Sequence, residues 1–399
     1  MKKLKIIIIL LLLINPIIVN ALDYPNLDSK EIEIYDLTNK KEIYEIDSNK
    51  ITSIASLTKI VTTITAIETI DNLDEEVTIN YNILKTVAWD ASKAGLKVGD
   101  KVTYRDLLYA SMLPSGADAT NSIAILSSGS IDNFVKRMNK LAKKLKLKNT
   151  HFVNVTGLDD ENHYSTAKEI RIILEYALEN DLFRQIYQTK QYTLSNGLQV
   201  KSTLFKYNNS LDTTKIMGSK TGYTGNAGYC LSSLSNINSH EFLIIVLNAN
   251  KKDEKYYNIV DTVELIDFLE THYNFQILVE KNQIIETIPI KLSKIDKYKI
   301  KAKNDIKYYL PDDYDKSKIE IKYEGKDHLS FINKKGNKIG TISYYYNNEF
   351  VTKENVILNI DPKISIIKIF ISYFYIFLGI PILILLLKKK KKSKKGLVH

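Results

Sequence analysis

The run from Ile369 to Leu387 holds 19 residues without a charge, and Lys388-Lys-Lys-Lys-Lys-Ser-Lys-Lys follows it directly. A helix needs about 20 apolar residues to cross the hydrocarbon layer, and lysines placed just beyond such a run stay on the cytoplasmic side. Residues 369–387 therefore read as a transmembrane anchor and 388–399 as a basic cytoplasmic tail. Gly379 and Pro381 lie within the span and are compatible with insertion. At the other end Met1-Lys-Lys-Leu-Lys, the largely apolar segment Ile6 to Val19 and then Val19-Asn20-Ala21 have the charged, hydrophobic and small-residue parts of a secretory signal. Residues 1–21 read as a signal peptide, with Leu22 beginning the mature chain. The expected location is outside the cell, anchored to the membrane by the C-terminal helix.

The formal charge of +10 suggests a nucleic-acid partner only until its position is read. Lys2, Lys3, Lys5, Lys388 to Lys392, Lys394 and Lys395 supply ten positive charges at the two ends; with Lys363 and Lys368 also set aside, Leu22 to Pro362 carries 44 basic against 46 acidic residues. Such a body offers no footprint for a phosphate backbone, and no nucleic acid is expected. The single cysteine, Cys230, allows no internal disulfide, so core burial must hold the chain together even if it is exported. At about 150 residues per domain, 399 residues give two to three domains.

Residues 32–47 alternate apolar and polar on either side of Asn39-Lys40, the pattern of a β-hairpin. Ser53 to Ile70 repeats isoleucines at helical spacing, but its many β-branched residues make a weak helix that must be buried to persist. Further helices are predicted over 104–113, 117–126, 131–145, 166–180 and 255–272. Short strands are predicted over 216–220, 229–235 and 242–248. Strands at both ends of a segment with a helical middle imply an α+β unit over 22–274, an antiparallel sheet with a helical cluster beside it. After about Phe275 short alternating segments such as KYKIKA and GTISYYY, separated by Asp, Asn, Gly and Lys turns, indicate a β-rich domain over 275–362.

Ser-x-x-Lys occurs at Ser56-Leu-Thr-Lys59, Ser165-Thr-Ala-Lys168 and Ser365-Ile-Ile-Lys368, among other places, and context separates them. Ser365 abuts the anchor, and a capping role suffices for Ser165 ahead of an amphipathic helix. Ser56 falls in the first turn of the buried helix, where positions i and i+3 share a face and bring the Lys59 amine to the Ser56 hydroxyl. A lysine becomes a base for serine if burial and another cation lower its pKa, and N–H groups at a helix start can hold an oxyanion. The plain alternative makes Ser56 a helix-start residue and Lys59 a surface lysine. Two more motifs favour the chemical reading: Ser115-Gly116-Ala117 at a break between helices, and Lys220-Thr221-Gly222 at the end of a strand.

These three motifs in this order resemble the penicillin-recognising serine enzymes, the D-alanyl-D-alanine carboxypeptidases and their β-lactamase relatives. The flanking SIASLTK, GLKVGDKVTYRDLLYASMLPSGADA, KNTHFVNVTGLDDENHYSTA and GSKTGYTGNAGYCLSS are similar to the low-molecular-mass branch, and the resemblance spans roughly residues 30–355. It implies a β-lactamase/D,D-peptidase-like catalytic fold. It also implies trimming of the terminal D-alanine from peptidoglycan stem peptides, sensitivity to β-lactams and no cofactor or metal. Carried over by motif, Ser56 is the acylated nucleophile, Lys59 its general base and Ser115 a proton relay. Lys220, Thr221 and Gly222 would line the opposite wall, Lys220 drawing the substrate carboxylate and keeping Lys59 partly neutral, with the N–H groups of Ser56 and Tyr223 as oxyanion donors.

One position departs from the family: Ala117 stands where Asn is usual, removing an amide that normally meets the substrate peptide and the lysine. Asp118 and Asn121 are candidate substitutes. A β-lactamase, a D,D-transpeptidase or endopeptidase, and a catalytically weakened penicillin-binding scaffold are the alternatives. His151 and His163 are expected in packing or hydrogen-bonding roles and Cys230 as a buried apolar residue. No H-E-x-x-H zinc pattern or G-x-S-x-G elbow is present.

Overall fold

The computed structural model describes residues 24–207 and 211–395; the signal assigned to 1–21 lies outside them. Two compact units part between His272 and Tyr273, two residues before the boundary expected from sequence.

The first unit is built on a five-stranded antiparallel sheet. Its strands are β1 (Glu31–Asp36), β2 (Lys41–Ile46), β3 (Ile216–Thr224), β4 (Gly228–Ile237) and β5 (His240–Ala249), in the order β2-β1-β5-β4-β3. The N-terminal hairpin thus joins the C-terminal strands, with Ile32 opposite Val246 and Val246 opposite Leu231. The central strands β4 and β5 are buried on both faces and read as nearly continuous apolar runs, FLIIVL in β5. Alternation along β1 directs its neighbours. Glu33 and Tyr35 meet Arg171 and Glu175, whereas Tyr44, opposite Ile34, stacks on Tyr24, which also packs against Phe268.

The helices are α1 (Thr58–Thr69), α2 (Tyr104–Met112), α3 (Ala117–Ser128), α4 (Ile131–Lys144), α5 (Ala167–Leu178), α6 (Asp181–Gln188) and α7 (Tyr257–His272). Local chemistry sets their ends. Thr103 and Asp106 form a reciprocal capping box at α2, Ser130 caps α4, and Gly129 takes a left-handed φ of 74° to end α3. The hydroxyl that caps α5 is Thr166 rather than Ser165, whose Oγ instead meets Thr150 Oγ1 at 2.7 Å. α1 is buried over most of its surface, which offsets the poor helix propensity of TKIVTTITAIET.

The second unit carries β6 (Tyr273–Val279), β7 (Ile284–Lys291), β8 (Lys297–Lys301), β9 (Ile306–Pro311), β10 (Ile319–Gly325), β11 (Leu329–Ser330), β12 (Lys338–Tyr346) and β13 (Glu349–Ile357), then α8 (Ile366–Lys395). These strands form small sheets, β6-β9, β8-β7-β11 and β10-β12-β13, around their own apolar cluster. Residues 366–388 of α8 are long and apolar enough to cross a membrane.

Candidate active site

Ser56 stands on a single 3-10 turn, Ala55–Leu57, that runs straight into α1. Ala55 holds a left-handed φ of 46°, a strained arrangement at a non-glycine residue immediately before the serine. Two devices hold this turn. The Gly157 backbone approaches the Ala55 carbonyl so closely that any Cβ would overlap it, and at Gly222 a Cβ would lie 3.0 Å from both Ser56 N and Ala55 Cβ. Behind them runs a relay of hydrogen bonds: Val153 N–H donates to His163 Nδ1 (3.2 Å), Nε2 meets Thr58 Oγ1 (2.8 Å), and Thr58 donates to Ala55 O (2.8 Å). Burial pushes the imidazole down to about 4, so His163 is neutral and serves as a brace. His151 Nδ1 lies 2.6 Å from the Asn162 carbonyl.

Lys59 Nζ sits 2.9 Å from Ser56 Oγ and donates to Thr156 O at 2.7 Å. Burial brings its amine down to about 7, against the pull of the Asp118 carboxylate, which favours the charged form. Burial, not a neighbouring cation, is therefore the cause of the low value. Lys220 is also buried and held well below the ordinary lysine value, by burial first and by Lys59 second. Its amine donates to Thr221 O at 2.8 Å. Ser115, at φ 63° in the break between α2 and α3, keeps a buried hydroxyl with no hydrogen-bond partner among the described residues.

Ser56, Lys59, Ser115, Thr221, Gly222 and Tyr223 line one cavity of about 650 Å³. Lys220 precedes the lining residue Thr221 on β3 and is itself buried. Neither candidate substitute for the missing amide faces the cleft: Asn121 donates to Thr86 Oγ1 (2.9 Å), and Asp118 accepts from the backbone of Ala94, Gly95 and Leu96 at 2.8–3.0 Å. Asp118 thereby ties down the loop whose residues 90–92 form the cleft's other rim.

Sequence reasoning assigned no role to Asn154, Thr156 or Asp159. Asn154 Oδ1 takes the N–H groups of Thr156 (3.1 Å) and Gly157 (2.7 Å), an Asx turn that aims Thr156 O at Lys59; the string Asn-Val-Thr-Gly was its available signal. Asp159 accepts from Thr224 Oγ1 at 2.6 Å and so joins the cleft floor to β3. Glu33, Glu42 and Glu45 bring carboxylate oxygens within 4.8 Å of one another on β1 and β2. Arg171 pairs with Glu33, Lys168 with Glu42, and the Ser48 hydroxyl donates to Glu45; none of the three lines the cleft.

A buried amine beside a part-exposed serine hydroxyl at a strained helix start, facing a glycine strand edge, is suited to acyl transfer. Residues 18–251 match the Peptidase S11 family, described as D-alanyl-D-alanine carboxypeptidase. The chain belongs to this family. Residues 273–361 match the C-terminal domain of penicillin-binding protein 5. A D-alanyl-D-alanine carboxypeptidase of Bacillus subtilis is 28% identical over 341 residues, covering 84% of this chain and 86% of its own. One from a Streptomyces strain is 37% identical over 193 residues, 45% of this chain and 66% of its own. The solved penicillin-binding protein 5 of Haemophilus influenzae shares the fold with a TM-score of 0.61 at 24% identity, covering 86% of this chain and all of that one.

Proposed function

We propose that this chain is a serine D,D-carboxypeptidase that removes the terminal D-alanine from peptidoglycan stem peptides. The observation that carries the reading is the Lys59 amine, brought down to about 7 and 2.9 Å from Ser56 Oγ. Ser56 Oγ attacks the carbonyl carbon of the penultimate D-alanine while Lys59 takes the hydroxyl proton. The N–H groups of Ser56 and Tyr223 hold the oxyanion. Ser115 passes the proton from Lys59 to the leaving D-alanine nitrogen as the peptide bond breaks, and water then releases the acyl group and restores Ser56. Lys220, held low by burial and by Lys59, recovers its proton when a substrate carboxylate approaches Thr221, since an anion nearby favours the ammonium.

A β-lactam presents the same carbonyl and acylates the same hydroxyl. The apolar helix at 366–388, followed by the lysine run, supports a C-terminal membrane anchor with the catalytic unit outside. The test is intact-mass analysis after benzylpenicillin, with D-alanine release from a D-Ala-D-Ala pentapeptide measured alongside. A penicilloyl adduct on Ser56, absent in Ser56→Ala, together with D-alanine release fits the proposal. In Ser56→Ala turnover should fall at least about 10⁴-fold. An adduct without release points to a transpeptidase or a scaffold, and no adduct overturns the nucleophile.

A further inference from the structure

The turn between β7 and β8, residues 291–297, is fastened to the chain that enters α8. Lys294 N–H donates to Lys363 O at 2.8 Å and Ser365 N–H to Leu292 O at 2.9 Å, and a β-bridge joins Ser293 to Ile364. Ser293 Oγ donates to Lys363 O at 3.0 Å, Lys368 Nζ donates to Ser293 O at 2.7 Å, and Lys368 also pairs with Asp296. Lys368 is the last charged residue before the 19 uncharged ones. The turn is thus held at the depth where the helix leaves polar surroundings.

Its composition suits that depth. Ile295 at the tip is 45% exposed, and Ile364, Ile366 and Ile367 on the entering segment are exposed as well. Lys291, Lys294, Lys297 and Lys363 surround this apolar tip, exposed and without an ion pair among the described residues. Between the turn and the first turns of α8 lies a notch of about 480 Å³ lined by Ile290, Leu292, Lys368 and Ile371 among others. An isolated exposed isoleucine is ordinary; one at the tip of a lysine-flanked turn bound to an apolar span has the make-up of an interfacial anchor, with apolar groups below the headgroups and lysines among them.

We propose that the 291–297 turn is a second membrane contact, with Ile295 dipping beneath the headgroup layer and its lysines against the phosphates of anionic phospholipids. This rests on α8 spanning the bilayer, as proposed above. The lipid is argued from position: the only surface that must lie at the level of Lys368 is the one α8 enters, and its charge complements the four lysines.

The test uses the full chain in vesicles of phosphatidylglycerol or of phosphatidylcholine. Ile295→Cys carries an environment-sensitive dye; Cys230 is buried, with its thiol pushed up to about 12, and stays unlabelled. Ile284→Cys, at the opposite end of β7, is the control. The expected result is a blue shift and quenching by a shallow spin-labelled lipid at Ile295, absent at Ile284. The shift should be larger in phosphatidylglycerol and lost when Lys291, Lys294 and Lys297 are changed together to Gln. Flotation with the vesicles is read in the same samples. A chain that floats while the Ile295 dye emits as in water overturns this contact alone, whereas failure to float overturns the anchor and the contact together. Equal shifts in both lipids overturn the role given to the lysines.

Discussion

The interiors of the two units differ in kind. Residues 24–272 bury Lys59, Lys220, Asp118, His163 and Glu33 in their interior, whereas in 273–361 the buried side chains are apolar or aromatic except for Ser293, among the described residues. The second unit follows simple alternation, as in β12, where Ile342, Tyr344 and Tyr346 point inward and Thr341, Ser343 and Tyr345 lie on the other face. Burying a charge in the first unit costs several kcal/mol unless it is paired or neutralised, so a core that tolerates two lysines is shaped by something other than stability. Ser293, the exception in the second unit, sits where that unit binds the start of α8.

The largest break of this comparison comes from the buried lysine beside Ser56. Lys59→Ala should lower kcat/KM by about 10² to 10⁴-fold, the usual worth of a positioned base, with the fold kept. In the unmodified protein the neutral amine is the active form, so kcat/KM should climb as pH rises through about 7 and fall tenfold per unit below it. A profile flat from pH 5 to 9 would remove Lys59 as the base.

Two further variants probe how tightly the first unit is held. Gly157→Ala forces a Cβ into the Ala55 carbonyl at a φ of 86°, which should cost more than about 3 kcal/mol in urea unfolding and displace Ser56. Wild-type stability there would mean that the 55–57 turn yields easily. His163 works through acid. Below its ordinary value of 6.5 the unfolded chain takes up a proton that the folded chain refuses until about 4. Stability therefore falls as pH drops through this window, by roughly 3 kcal/mol, and no further below it. His163→Gln should flatten that dependence, which unfolding midpoints between pH 4 and 7 would reveal.

The same contrast explains what the sequence disclosed. The helices 131–144 and 167–178 and the strands of the second unit announce themselves because one face of each is wet, leaving a clean period. The hairpin 31–46 shows the same alternation for another reason: β1 is buried on both faces, and its Glu31 and Glu33 are paired with Lys50 and Arg171 instead of facing water. Helix 181–188 escaped notice because it is only two turns long, although Phe183, Ile186 and Tyr187 share its buried face and Asn180 caps it. At the site, Ser56, Lys59 and Ser115 were legible as motif residues. Their surroundings were not: the Thr156 carbonyl that meets Lys59 and the brace from His163 to Ala55 come from residues about 100 positions away in the chain. Loss of the Asn side chain at Ala117 was visible at once, yet only the fold reveals that Asp118 and Asn121 are already engaged.

The smallest effect serves as the counterpart to Lys59. Lys322 on β10 has the same chemistry but lies at the surface, paired with Glu320 at 3.1 Å and placed 4.7 Å from the Tyr345 ring centre. Water screens that pair and the long side chain loses freedom in making it, so Lys322→Ala should change stability by no more than about 0.5 kcal/mol and leave acylation by benzylpenicillin unaltered. Denaturant midpoints and acylation rates measure both. A loss above about 1 kcal/mol would mean that polar groups support the second unit after all, and that burial, rather than the mere presence of a lysine, is the wrong basis for separating the two regions.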